Sequence, residues 1–166
     1  MPMTSFVETR ELPGMTLVGL TAQFVSIMAP NPDADDVIPV LWGKVFDALE
    51  QVDEFEFGWA VGLILPSSVP DAKPGQMEYF AGLIVEATPD ELGSLEVRQI
   101  KASNYVVCEH LGSLDELAET TRWFYEEYLP TAGFTERVAP HLEVYDERFD
   151  PDSSESVVMI CAPIEG

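Results

Sequence analysis

Apolar residues recur along the chain in two rhythms. From Ile38 they fall at Ile38, Leu41, Trp42, Val45, Leu49 and Val52, three and four apart, which predicts a helix with one apolar side ending near Val52. Asp35 and Asp36 are placed to cap it, with Pro39 in its first turn. Thr16–Phe24, rich in Val, Leu and Thr after the turn signal Pro13-Gly14, reads as a strand. Gly58–Leu65 and Gln76–Ala87 read as two more, joined by the turn-rich stretch 66–75. The second half repeats this order. Leu95–Ile100 and Asn104–His110 read as strands, and Ser113-Leu-Asp-Glu116 is a capping box opening a helix to about Leu129, stopped by Pro130 and Gly133. Leu142–Glu147 and Val157–Ala162 close the chain as strands on either side of an acidic loop. The pattern predicts an α+β fold: a duplicated strand-helix-strand-strand unit in a curved, mostly antiparallel sheet with two long helices on one face. A groove is expected between the halves, about 1–90 and 91–166, of a single domain spanning 1–166.

Charge narrows the partners. The chain carries 30 acidic and 8 basic residues, a formal charge of −22, split as −11 in each half. A nucleic-acid binder needs a basic footprint, and no segment supplies one, so direct nucleic-acid binding is excluded. The even spread reads as a solvated acidic coat over a folded body, which the 46% hydrophobic content supports. The start has no basic region followed by an apolar core, and no apolar run approaches the roughly 18 residues that span a bilayer. A cytoplasmic protein without a membrane partner is expected.

Motifs for phosphate, dinucleotide, zinc-protease or serine-hydrolase chemistry are absent. Cys108 and Cys161 lie in strand-like runs and read as buried free thiols. Cys108, His110 and His141 lack the tight spacing of a zinc site, and Asp150-x-Asp152-x-Ser154 lacks the glycine of a calcium loop, so neither metal nor cofactor is expected.

The most informative stretch is His141-Leu-Glu-Val-Tyr145. Alternation sets His141, Glu143 and Tyr145 on one face and Leu142 and Val144 on the other. If the apolar pair faces the helices, Glu143 faces water, the reading that spacing favours. If the polar face lines the groove, Glu143 is a buried acid, costly unless it attracts a cation or holds a proton. Trp42 flanks the first helix's apolar stripe, as core or as groove wall. Trp59 alternates with Val61 and Leu63 and reads as core. Trp123 falls opposite the second helix's apolar stripe, among Glu116, Glu119, Glu126 and Glu127, which suggests a contact face for a homodimer.

Five stretches carry a family pattern: residues 7–19 (VETRELPGMTLVG), 78–82 (EYFAG), 102–112 (ASNYVVCEHLG), 128–130 (YLP) and 140–145 (PHLEVY). In order and spacing they resemble the GyrI-like effector-binding family, the small-molecule-binding domain of certain bacterial multidrug-responsive regulators. The resemblance implies a groove for lipophilic, often cationic, compounds, with Glu143 as buried acid and Tyr145 as its aromatic partner. Trp42, Tyr79 and Tyr125, with Trp59, are expected to complete the cage, since aromatic faces attract a desolvated cation. The match begins within the first ten residues, so the DNA-binding part of those regulators is not expected here and a stand-alone binder is. Two alternatives follow from the same resemblance. One is a hydrolase of strained cyclopropane-type genotoxic compounds, with Glu143 as general base and Tyr145 or His110 assisting. The other is an acidic, gyrase-inhibitor-like interaction protein.

Overall fold

The apolar stripe from Ile38 does form a helix, α1 (Ala34–Leu49), which begins a turn earlier than predicted. Asp33 is its N-cap, and Asp35 and Asp36 sit in the first turn, where their charge suits the positive end of the helix dipole. The Asp33 carboxylate accepts the Val25 N–H and so ties the helix to the strand before it.

The chain is described, as a computed structural model, over residues 4–29, 32–52, 57–67 and 69–165. It is an α+β protein. Two compact units divide it: Gly14–Lys101, and Met1–Pro13 together with Ala102–Gly166. The first holds β2 (Met15–Val25), α1, β3 (Phe57–Pro66), β4 (Gln76–Val85) and β5 (Glu96–Ile100), with strands in the order β3-β4-β2-β5 and each neighbouring pair antiparallel. The second holds β1 (Thr4–Leu12), β6 (Ser103–Leu111), β7 (His141–Tyr145) and β8 (Val157–Pro163), ordered β7-β8-β6-β1 and likewise antiparallel.

In the Gly14–Lys101 unit, α1 sends Leu41 and Val45 onto a sheet face bearing Phe24, Tyr79 and Ala81. Tyr79 is fully buried there, with its hydroxyl over Gly62, where an added Cβ would lie 2.0 Å away. The opposite face carries a polar group: Arg98 donates to Thr21 and Glu78 and lies over the Phe80 ring at 5.1 Å.

In the other unit the helical run is segmented. A 3-10 turn (Leu114–Glu116) leads into α2 (Leu117–Arg122), a π-helical stretch (Trp123–Tyr128) and α3 (Leu129–Ala132), ended by Gly133 in the left-handed conformation at φ 80°. Pro130 is therefore inside the run, just after the π stretch. The capping-box side-chain bond is not made. The Ser113 carbonyl instead accepts the Glu116 N–H and the His110 Nε2–H, at 2.8 Å for the latter.

The run packs Phe124 on Val106, Cys108, Ile160 and Ala162. A π turn takes more than four residues, so it brings Trp123 round to Tyr128, with ring centroids 5.5 Å apart. Trp123, expected on the acidic solvent face, is for that reason half-buried against this cluster. Both cysteines are free and buried, as read from the sequence; burial pushes the Cys108 thiol up to about 12 and the Cys161 thiol higher still. Among the described residues no helix is long and apolar enough to cross a membrane.

Candidate functional site

β7 alternates as its sequence demands: Leu142 and Val144 are buried on one face, and His141, Glu143 and Tyr145 are half-buried on the other. Register decides which face meets the helix. Glu143 pairs with Ile160, which pairs with Cys108, and both belong to the cluster under Phe124. The polar face of β7 thus lies on the helix side, which corrects the solvated-edge reading of Glu143. The apolar pair is taken up by the sheet's other, equally buried face, where Leu142 pairs with Cys161 and Val144 with Met159.

Three of the predicted site residues come together here. The Tyr145 hydroxyl donates to Glu143 Oε1 at 3.1 Å, and the Tyr145 ring meets Phe149 edge-on at 4.9 Å. Tyr125 descends from the π stretch, and its hydroxyl lies 2.8 Å from His141 Nδ1. Burial, reinforced by nearby Cys161, Glu143 and Glu136, raises the Tyr125 pKa well above its ordinary value, so the phenol keeps its proton and donates. His141 Nδ1 is then the acceptor, and Nε2–H donates to Glu136 Oε1 at 2.9 Å. Burial also lowers the His141 pKa, partly countered by that bond to Glu136, so the imidazole is neutral at pH 7.

This chain of three groups opens on a cavity of about 240 Å³. Leu129, Pro130, Phe134, Ala162, Pro163 and Ile164 form its apolar walls, while Tyr125, His141 and Glu136 supply the polar atoms. The volume falls below the roughly 300–1,000 Å³ of whole-ligand pockets and suits one ring or branched substituent.

Trp42, Tyr79 and Trp59 belong to the other unit. Trp42 is half-buried on the α1 cluster and meets Tyr79 edge-on, with centroids 6.4 Å apart. Tyr79 has no exposed surface. Trp59, read as core, is 45% exposed, because a register irregularity between Phe57 and Ala60 breaks the alternation that would have buried it with Val61 and Leu63. His110 is 1% exposed, with Nδ1 on Thr120 at 2.7 Å and Nε2 on the Ser113 carbonyl, so no ring nitrogen is left for chemistry. Among the described residues no three His, Cys, Asp or Glu side chains gather as a metal site.

Sequence reasoning missed Glu136 and the bridging place of His141. His141 did share parity with Glu143 and Tyr145. Glu136 sits in an irregular segment whose spacing carries no signal.

No curated protein matches the chain. Several solved structures share its fold. SAV2435, solved bound to tetraphenylphosphonium, superposes with a TM-score of 0.71 at 20% identity, covering 97% of this chain and 94% of that one. The EcmrR C-terminal domain gives 0.66 at 16% identity, covering 96% and 97%. A putative transcription regulation protein of Staphylococcus aureus gives 0.62 at 20%, covering 97% and 99%. Residues 6–165 match the GyrI-like small molecule binding domain, and the chain belongs to that family.

Proposed function

We propose that this protein binds lipophilic cations on the helix side of β7, with Glu143 as counter-ion and Tyr125 and Tyr145 as aromatic walls. The observation that carries this reading is the half-buried Glu143 on the face that packs beneath Phe124 and Tyr125. A carboxylate removed from water is stabilised by a cation, and tyrosine rings beside it favour one with an apolar skin. The formal charge of −22 raises the local concentration of any cation. The tetraphenylphosphonium bound by SAV2435 is a ligand of this class.

The test is a tryptophan-fluorescence titration with tetraphenylphosphonium and neutral triphenylphosphine oxide, in wild type and Glu143→Gln. Trp123, beside Tyr128 in the π stretch, is the tryptophan reporter in the same unit as the site. Saturable binding that prefers the cation, weakens about tenfold in the variant and returns the ligand intact is expected. Equal binding of the neutral compound, or no loss in Glu143→Gln, would overturn the reading. A consumed substrate in an assay with a strained cyclopropane compound would favour a hydrolase instead.

A further inference from the structure

Glu136 stands at the cavity beside His141 and is 71% exposed on its side chain. One of its oxygens accepts the His141 Nε2–H, which fixes the direction of the carboxylate. The adjacent Arg137 does not neutralise it. That guanidinium donates to the Ile164 carbonyl, to Ser103 Oγ at 2.6 Å and to the Asn104 carbonyl, and it covers the Tyr105 ring at 5.4 Å. His141, held between Tyr125 and Glu136, bears no charge at pH 7 and does not neutralise it either. An oriented carboxylate therefore stands with an open acceptor oxygen beside apolar walls that include Phe134 and Pro163.

We propose that this cavity is a subsite for protonated amines, in which Glu136 accepts the ligand N–H while an apolar ring occupies the walls. The inference rests on the cation-binding reading and deepens it. Glu143 supplies charge to any cation, whereas Glu136 distinguishes an ammonium that can donate a hydrogen bond from a quaternary one that cannot. Charge-assisted hydrogen bonds have this directionality, and a quaternary centre lacks the proton to use it.

The experiment compares 3,3-diphenylpropylamine with its N,N,N-trimethyl derivative, in wild type and Glu136→Gln. Glutamine keeps one oxygen for His141 and replaces the open acceptor oxygen with an NH2 donor, so the charge and the acceptor are lost together. For a carboxylate this exposed, affinity for the primary amine should fall by up to about fivefold, with that for the trimethyl compound changing less than twofold. Equal loss for both probes would make Glu136 a general charge and overturn the inference, as would no loss for either. Tetraphenylphosphonium run in parallel separates the two failures. If wild type binds it while Glu136→Gln weakens both amines equally or neither, only the subsite falls; if wild type binds neither it nor the amines, the cation-binding reading falls first. Retained binding of tetraphenylphosphonium by Glu136→Gln also shows that the variant is folded.

Discussion

On the helix side of β3 stand Ala60, Gly62 and Ile64; on the helix side of β7 stand His141, Glu143 and Tyr145. The strands hold like positions in their own units, each at the end of a four-strand order beside a central strand that carries the helix-packing residues. In one unit the central strand offers Tyr79, whose ring fills the layer and whose hydroxyl presses on Gly62. In the other it offers Ile160 and Ala162, smaller groups that leave room for polar side chains on the neighbouring strand. The same scaffold is closed as core in one place and open to chemistry in the other, and side-chain volume on one strand makes the difference.

The largest test of that contrast is Phe124→Ala. Phe124 is fully buried at the centre of its cluster, so the variant should lose about 3–5 kcal/mol in chemical denaturation, and cation binding with it. Binding retained at full affinity would separate the site from the helix that roofs it. Gly62→Ala should cost about 1–3 kcal/mol, because the added Cβ would meet the hydroxyl of the fully buried Tyr79. Tetraphenylphosphonium affinity should be untouched. Unchanged stability would mean that the Tyr79 layer is looser than its burial implies.

The smallest effect concerns His141. Its folded pKa lies below the ordinary 6.5, chiefly through burial, so as pH falls the unfolded chain takes up the proton first. The stability this contributes is complete above 6.5 and is lost as pH falls through the lower folded value. Denaturation midpoints measured from about pH 7.5 down to about pH 5 should fall less steeply in His141→Gln than in wild type. An identical slope would mean that the imidazole titrates as if exposed.

Residue spacing read the fold better than it read the site. The stripe of α1 and the runs of β4, β6 and β8 are long and regular, and burial on the sheet interior enforces their patterns. β1 was not legible, because a strand that among the described residues pairs only with β6 can carry Glu8, Thr9 and Glu11 toward water. Trp123 and Trp59 were misplaced for a shared reason: a π turn and a strand irregularity each shift the period on which parity depends. The polar parity of His141, Glu143 and Tyr145 was plain, but the side it faced was not, since that follows from pairing with Ile160 and Cys108 in distant segments. Glu136 became visible only through the hydrogen bond that His141 makes to it.

The pairing of β1 with β6 has a consequence in time. β1 leaves the ribosome ahead of β6, and that partner follows roughly 90 residues later, a wait of about 5 to 20 seconds at ordinary rates of synthesis. Through that interval residues 4–12 must avoid pairing with another strand. The charges of Glu8, Arg10 and Glu11 suit that wait, because they keep a nascent segment soluble and make it a poor template for strangers.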